Sequence, residues 1–282
     1  MDFLVRERIL KIEAVTPAIG ANISGVSLNK DLNDDICDQI YKALIKYQVV
    51  FFRDQDLSPE SHLKLAKSFG EPEPLHPVYP HVDGYENIVL LKNDKDIIPD
   101  TNDWHKDLTF KSNPPFASIL HGIKIPDVGG DTLWASMSAA YDNLPDGWKQ
   151  HLENLEAIND MGTFRNDFYR DGGIDSVNNA LKNVGSAVHK VIETHPVSGL
   201  RYLNVNQSFT RNIVNESQGK SDHILQFLYQ HINKPEFQVR FRWRNNSVAI
   251  WDNRITQHYA VVDYLPNIRH MQRVTVLNDK RE

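Results

Sequence analysis

Apolar residues recur at helical spacing in four stretches of the chain, and each stretch predicts a helix. The first covers residues 34–47, where apolar side chains recur every three or four positions. The second lies between Ser58 and Gly70, where a serine cap, a proline at the first helical position and a closing glycine mark the two ends. Two further helices are predicted, one beginning at Pro145 and one over residues 221–232.

The other apolar stretches are short and rich in β-branched and aromatic residues, which is typical of buried strands. Such strands are predicted at Gln48–Phe52, Ser118–Ile125, Asp131–Ala135, Arg201–Val205 and Met271–Leu277, with a hairpin of Phe237–Trp243 and Ser247–Trp251. Many short strands with few helices favour a mainly β fold with helical decorations (α+β), built on a double-stranded β-helix, or jelly roll. We expect residues 1–282 to form one domain.

Two polar stretches interrupt this pattern. Residues 71–115 are rich in Pro, Asp and Asn and predict a long ordered loop, interrupted by strands at Ile88–Leu91 and around Trp104–Phe110. Residues 160–186 are polar, contain glycine and show weak periodicity. A loop as long as residues 71–115 inside a compact domain is often functional. The weak pattern of residues 160–186 indicates a mobile lid over a site.

Composition and charge narrow the classes of function. The chain has 282 residues and a net charge of −6, and it has no run of lysine and arginine typical of nucleic-acid binding. No apolar stretch is long enough to span a membrane, and the first residues lack the apolar core of a signal peptide. The single cysteine, Cys37, excludes an intrachain disulfide and fits a reducing compartment. We therefore expect a cytoplasmic protein without nucleic-acid or membrane partners.

The segment Trp104–Phe110 contains a His-x-Asp pair within a predicted strand. Alternate side chains of a strand share a face, so His105 and Asp107 are expected to point the same way. An imidazole and a carboxylate are two of the three ligands in the two-histidine, one-carboxylate triad of non-haem Fe(II) oxygenases. Taken by itself, the pair is better interpreted as a structural His–Asp hydrogen bond.

His258 is the histidine best placed to complete such a site. It follows an apolar strand, and Arg269 and Arg273 come after it, four residues apart. On a strand these two arginines would share a face, and two inward-facing cations are costly unless anions meet them. Four other histidines occupy predicted helices and are expected at the surface: His62, His151, His223 and His231.

The chain resembles the taurine dioxygenase family of Fe(II)/2-oxoglutarate-dependent oxygenases. The matching blocks run along nearly the whole chain in the family's order, and together they are highly specific. They are Pro17–Gly25, Gln48–Gln55, His76–His81, Trp104–Asp107, Gly129–Trp134, Thr194–Gly199, Lys234–Arg240 and Trp251–Arg254.

The resemblance implies a ligand set. His105, Asp107 and His258 match the iron ligands of the family and would leave three positions on Fe(II) for 2-oxoglutarate and O₂. Arg269 matches the residue that binds the distal carboxylate of 2-oxoglutarate, for which a guanidinium fork is well suited. Thr132 matches the hydroxyl that assists it.

The resemblance also implies a pocket for a small anionic substrate. The matching residues are Arg273, His76 and the backbone N–H of Leu108 at the sulfonate, Tyr79 and Thr101 near the amine end, and Phe164 and Phe209 as aromatic walls. Thr101 is a departure, because the family's taurine enzymes carry an asparagine there. Taurine or a similar small alkylsulfonate is therefore the expected substrate, and a sulfate ester would also satisfy Arg273 and His76.

The implied reaction hydroxylates the carbon next to sulfur and releases sulfite and an aldehyde, with succinate and CO₂ as co-products. Family members are commonly oligomers, so a homodimer or homotetramer is expected. Two other classes remain open at this point. A zinc-dependent hydrolase would use the same three ligands but would have no need of Arg269, Thr132 or O₂. A non-catalytic jelly roll would bind a small anion without turning over 2-oxoglutarate.

Overall fold

The computed structural model describes residues 10–75, 79–99, 103–162, 172–179, 182 and 185–282. The helices in these residues are α1 (Asp34–Tyr47), α2 (Pro59–Phe69), α3 (Met137–Asp142), α4 (Asp146–Leu152), α5 (172–179) and α6 (Gln218–Ile232). The strands of the first half are β1 (Lys11–Ala14), β2 (Ala21–Ser24), β3 (Val49–Phe52), β4 (Gly70–Pro72), β5 (His81–Val82), β6 (Tyr85–Asn93), β7 (Ala117–Lys124) and β8 (Thr132–Ser136). Those of the second half are β9 (Glu156–Asp160), β10 (Ser186–Lys190), β11 (Ile192–Thr194), β12 (Arg201–Leu203), β13 (Thr210–Ile213), β14 (Gln238–Phe241), β15 (Val248–Asp252), β16 (Thr256–Ala260) and β17 (Arg269–Asp279).

The helix predictions are confirmed, and local capping explains where two of the helices begin. The Asn33 side chain accepts a hydrogen bond from the backbone N–H of Ile36 at the start of α1. The Ser58 side chain does the same for Ser61 at the start of α2, where Pro59 occupies the first position. The helix predicted from Pro145 is observed as α4, which begins at Asp146 directly after Pro145 and ends at Leu152.

Two β-sheets pack face to face at the centre of the described residues. The larger has nine strands in the order β1-β2-β3-β15-β7-β17-β6-β5, with β4 alongside β17, and the smaller has the order β14-β8-β16. Phe51 of the larger sheet stacks on Phe241 of the smaller, with ring centroids 4.3 Å apart, and contacts Trp134 at 5.5 Å. Two sheets joined by an aromatic core confirm the predicted jelly roll with helical decorations.

Alternation along each strand of the large sheet decides which core a side chain enters. In β3, Val49 and Phe51 point between the sheets, whereas Val50 and Phe52 point to the opposite face. That opposite face is covered by α1 and α2, whose apolar sides join the same cluster. We call the first the inner face and the second the helix-covered face.

The hairpin predicted from Phe237–Trp243 and Ser247–Trp251 is wrong. Both strands exist, but β14 pairs with β8 in the small sheet, whereas β15 lies between β3 and β7 in the large sheet. The intervening residues therefore cross from one sheet to the other. Alternating apolar residues predict a strand but carry no information about its partner.

The strand predicted around Trp104–Phe110 is also wrong. Only His105 pairs, in an isolated bridge with His258, and residues 107–110 form a turn. Leu108 has a φ of 56°, in the left-handed region that strands do not use. The turn is incompatible with strand alternation, so His105 and Asp107 are brought together by other contacts.

Two of the histidines expected at the surface are buried. His62 is 0% exposed and its Nε2 lies 3.1 Å from the carbonyl oxygen of Ile119, and His231 is 5% exposed with Nε2 2.8 Å from that of Ala140. A single carbonyl acceptor is enough to satisfy one ring N–H in the interior, which the polar neighbours in sequence did not reveal. His151 and His223 are exposed, as predicted.

About half of the lid expected at residues 160–186 lies outside the described residues, which omit 163–171, 180–181 and 183–184. Within the described part of the chain, no helix combines the length and the apolar character needed to cross a membrane.

Candidate metal centre

Three buried side chains converge at one end of the space between the sheets. His105, Asp107 and His258 each direct one ligand atom to a common point, and these atoms all lie within 4.8 Å of one another. The Nε2 atoms of His105 and His258 lie 3.8 Å and 4.0 Å from Oδ1 of Asp107. The predicted ligand set is therefore brought together by the fold.

Backbone pairing holds the two histidines side by side. The N–H of His105 donates to the carbonyl of His258 at 3.0 Å, and the N–H of His258 donates back at 2.8 Å. Their rings are consequently 4.1 Å apart between centroids. The Nδ1 of His105 lies 2.9 Å from the carbonyl oxygen of Asp103, which can only accept, so Nδ1 carries the proton and Nε2 faces the centre.

The charges of the cluster suit a divalent cation. Burial raises the pKa of Asp107, but the neighbouring Arg273, His258 and His105 outweigh burial and lower that pKa to about 2. Burial, and then the proximity of His105, lower the pKa of His258 to about 3. An ionised carboxylate beside a neutral imidazole is the protonation state that a metal ligand requires. The donor set fits Fe(II) as well as Zn²⁺.

Lys106, between the two ligands in sequence, points away from the centre and was not anticipated. It is 2% exposed, and its Nζ donates to Oδ1 of Asn204 at 2.6 Å and to the carbonyl of Arg254 at 2.7 Å. The ammonium group also lies over the ring of Tyr202. Burial lowers the pKa of Lys106 to about 7. This side chain anchors the ligand segment on its far side.

Arg273 lies beside the cluster on the inner face of β17. Its Nη1 is 3.6 Å from Oδ1 of Asp107, and its buried Nε makes no hydrogen bond to the described residues. The guanidinium therefore has donors left over for a second anion next to the metal centre.

Arg269 lies on the same face of β17, four residues before Arg273, and is 6% exposed. Its Nε donates to the carbonyl of Gly130 at 3.0 Å, and its Nη2 lies 3.4 Å from Oγ1 of Thr132. Among the described residues no carboxylate pairs with it, and burial lowers its pKa. A buried guanidinium held only by neutral acceptors fits an anionic ligand such as the distal carboxylate of 2-oxoglutarate.

The glycine pair beside Arg269 is required by close packing. Gly130 has a φ of 71°, and a Cβ on it would lie 3.0 Å from Cδ of Arg269. Gly129 has a φ of 83°, and a Cβ there would lie 2.7 Å from Oδ1 of Asp263. Only glycine allows this turn to approach both side chains, so the turn forms one wall of the cradle around Arg269.

A small apolar cluster forms another wall. Phe110, Met161 and Phe209 are buried together, and Leu108 packs against them. The ring of Phe209 meets that of Phe110 edge-on at 5.2 Å and that of His105 at 6.4 Å. The wall carries no charge of its own and suits an alkyl group next to the metal centre.

The remaining predicted site residues are less well defined. Tyr79 is half-buried, directly after residues 76–78, which are not described. His76, Thr101 and Phe164 lie outside the described residues. Two residues that the sequence did not indicate, Asn253 and Ser118, contact Asp107 directly. Asn253 lies within the matching block Trp251–Arg254, between two charged residues, and no other feature of the sequence pointed to its contact with Asp107.

Comparisons with known proteins point to the same chemistry. Residues 11–275 match the family described as taurine catabolism dioxygenase TauD, TfdA family. An alkylsulfatase of Acinetobacter baylyi is 36% identical over 280 residues, covering 96% of this chain and 86% of the relative. An alpha-ketoglutarate-dependent sulfate ester dioxygenase of Pseudomonas putida is 37% identical over 275 residues, covering 96% and 90%. The crystal structure of a taurine dioxygenase from Burkholderia xenovorans superposes with a TM-score of 0.82 at 34% identity, covering 96% of this chain and 90% of that one.

Proposed function

The chain belongs to the TauD/TfdA family of Fe(II)- and 2-oxoglutarate-dependent dioxygenases, and from that premise we propose that it hydroxylates the carbon attached to a sulfonate or sulfate group. The observation that carries the proposal is the pair of inward-facing arginines beside a three-ligand cluster. Arg269 lacks a carboxylate partner among the described residues, and Arg273 has spare donors beside Asp107. Two separate cationic positions fit two anions, the co-substrate and the substrate.

In this proposal His105, Asp107 and His258 hold the iron. Arg269, with Thr132 next to it, binds the distal carboxylate of 2-oxoglutarate. These five residues are all at most 8% exposed, so water is largely excluded from the charge-assisted bonds that they make.

Arg273, His76 and the backbone N–H of Leu108 are assigned to the sulfonate or sulfate oxygens. Phe209 and Phe164 are assigned to the alkyl chain, and Tyr79 and Thr101 to its far end. Of these, Arg273 and Phe209 are supported by their positions next to Asp107 and His105. His76, Thr101 and Phe164 remain predictions because they lie outside the described residues.

When bound, Fe(II) couples the oxidation of 2-oxoglutarate by O₂, which gives succinate and CO₂, to transfer of one oxygen atom into a substrate C–H bond. The protein binds both anions, fixes the C–H bond near the metal and excludes water from it. A hydroxylated sulfonate breaks its C–S bond to give sulfite and an aldehyde. A hydroxylated sulfate ester breaks its C–O bond to give sulfate and an aldehyde.

Two substrate classes are compatible with the arginine pair. Taurine follows from the resemblance of the blocks quoted above and agrees with the taurine dioxygenase to which the fold is similar. An alkyl sulfate is the second candidate. Threonine at position 101, where the family's taurine enzymes carry an asparagine, favours an uncharged chain over an ammonium group at the far end.

The test is anaerobic reconstitution with Fe(II) and 2-oxoglutarate, followed by O₂ and a panel of taurine, alkylsulfonates and alkyl sulfates. Succinate, sulfite and sulfate are measured separately. Sulfite from taurine supports the first substrate class, and sulfate from an alkyl sulfate supports the second. Product release without O₂ would instead indicate a zinc-type hydrolase. Binding of 2-oxoglutarate without any turnover would leave only an anion-binding module.

A homodimer or homotetramer and a cytoplasmic setting also belong to the proposal. The oligomer is supported by the oligomers common in the family, and the cytoplasmic setting by the buried, single Cys37. Light scattering coupled to size-exclusion chromatography measures the oligomeric state directly.

A further inference from the structure

No helix or strand fixes the backbone at Asp107. It follows an isolated bridge and precedes Leu108, whose φ of 56° is unfavourable for a branched side chain. Such a conformation persists only when the surrounding structure over-determines it. The position of the carboxylate therefore depends on contacts from elsewhere in the fold.

Asn253 supplies the first of these contacts. It is 0% exposed, and its Oδ1 accepts from the backbone N–H of Asp107 at 2.8 Å, while its Nδ2 donates to the carbonyl of Asp107 at 3.0 Å. The second hydrogen of Nδ2 is donated to the carbonyl of Pro115 at 3.1 Å. The side chain thus binds both main-chain groups of Asp107 and connects them to the segment that leads into β7.

Ser118 supplies the second contact. It is 0% exposed on the inner face of β7, and its Oγ donates to Oδ2 of Asp107 at 3.2 Å. The other oxygen, Oδ1, is the one that lies 3.8 Å from His105 and 3.6 Å from Arg273. The two carboxylate oxygens therefore have different partners: Oδ2 binds the protein scaffold and Oδ1 faces the centre.

We propose that Asn253 and Ser118 are positioning residues that present Asp107 to the metal through one oxygen only. This rests on the proposed role of Asp107 as an iron ligand. Asn253 fixes where the main chain lies and Ser118 fixes the rotation of the carboxylate, which keeps Oδ2 away from the metal. A carboxylate that bound through one oxygen would leave more positions on the metal for 2-oxoglutarate and O₂ than one that bound through both.

The experiment compares three variants under anaerobic conditions. Ser118→Ala removes the bond to Oδ2, and Asn253→Ala removes the three bonds made by that side chain. Ser221→Ala is the matched control, because Ser221 is also 0% exposed and its Oγ accepts from the N–H of Ile213, remote from the ligands. The readouts are the dissociation constant for Fe(II), the visible charge-transfer band of the Fe(II)–2-oxoglutarate complex and the melting temperature.

We expect Ser118→Ala to weaken Fe(II) binding about tenfold and Asn253→Ala about a hundredfold, as is typical for residues that orient metal ligands. The charge-transfer band should shift in Ser118→Ala, because the coordination of the carboxylate changes. Ser221→Ala should lower the melting temperature as much as Ser118→Ala while retaining the wild-type affinity and band.

The proposal is overturned if Ser118→Ala binds Fe(II) with wild-type affinity and an unshifted band, or if Ser221→Ala weakens binding equally. If Asn253→Ala does not yield folded protein, Ser118→Ala and its control decide the question alone. Failure of the proposed function looks different, because the wild-type protein would then show no Fe(II)–2-oxoglutarate band at all.

Discussion

The two faces of strand β17 bury different kinds of side chain. On the helix-covered face, Val274 and Val276 are 0% exposed and pack in the cluster formed with α1 and α2. On the inner face, Arg269 is 6% exposed and Arg273 lies against Asp107. Side chains two or four residues apart along one strand share a face, so the division follows from the pleat alone.

Burial has opposite energetic signs for the valines of one face and for the arginines of the other, although Met271, between the two arginines, packs in the apolar core of the inner face. Burying the valines stabilises the fold through the hydrophobic effect, whereas burying Arg269 without an anion opposes folding. The valines of the helix-covered face therefore stabilise the fold, whereas the buried arginines of the inner face oppose folding until anions bind them. An anionic ligand that binds Arg269 in the folded state would offset part of the free-energy cost of burying that arginine. The predictions below test this division.

The largest effect is expected from Asp107→Ala. Loss of one of three ligands should reduce turnover by about a thousandfold or more, since a metal contributes several kcal/mol to the transition state. The metal-free variant should remain folded, because the apolar cluster on the other face is untouched. Steady-state release of succinate and circular dichroism measure the two properties. Retention of wild-type turnover would refute the site.

Arg269→Met should raise the KM for 2-oxoglutarate by about a hundredfold, because a charge-assisted bond to a buried carboxylate is worth up to about 3 kcal/mol. The same change should leave the free energy of unfolding of the ligand-free protein unchanged or higher, since it removes a buried cation that has no carboxylate partner among the described residues. Urea unfolding without ligands is the measurement.

Arg269→Lys is the matched control for Arg269→Met. It retains the charge but loses the planar fork, and it should give an intermediate KM. A large loss of stability in Arg269→Met would contradict the assigned difference between the two faces.

Val274→Ala should lower the free energy of unfolding and leave ligand binding unchanged. Removing two methyl groups from a 0% exposed position costs about 2 kcal/mol of unfolding free energy, including the cavity left behind. The KM for 2-oxoglutarate and the affinity for Fe(II) should stay at their wild-type values. Urea unfolding and anaerobic titration check both. Weakened metal binding at wild-type stability would mean that the faces are not independent.

The smallest effect concerns acid stability on the helix-covered face. Burial, and then the proximity of His121, lower the pKa of His62 to about 3. As the pH falls, the His62 imidazole of the unfolded chain therefore takes up a proton before that of the folded protein. The contribution of His62 to stability is full above about pH 6.5 and falls by about 1.4 kcal/mol per pH unit below it, until about pH 3. Burial lowers the pKa of His121 as well, which adds a change of the same sign.

His62→Gln isolates that contribution, because its amide N–H replaces the bond to the carbonyl of Ile119 without titrating. Between pH 6.5 and 5.5 the wild-type protein should lose about 1 kcal/mol more unfolding free energy than the variant, because the unfolded imidazole is already half protonated at pH 6.5. Urea unfolding at the two pH values measures the difference. Equal losses in both proteins would show that His62 is not the titrating group.

Much of the site was predictable because its chemistry depends on residue type. The resemblance of the quoted blocks to the taurine dioxygenase family implied the ligand set of two histidines and one aspartate, and the fold brings these three side chains together. The prediction of a strand at His105 was wrong, although the convergence of the two side chains was correct. The Asn253 side chain and the His105–His258 bridge, which bring the ligands together, act over long sequence distances that periodicity does not encode.

What the amino-acid sequence by itself determined was local: helix ends at Asn33 and Ser58, the alternation of β17 and the kinds of ligand available. These follow from interactions among residues close along the chain. The tertiary structure alone decided that β14 and β15 lie in different sheets, that His62 is buried, and that Ser118 and Asn253 meet at Asp107. Strand partners and buried hydrogen bonds are chosen by the packing of the whole chain, and for that reason no local pattern reports them.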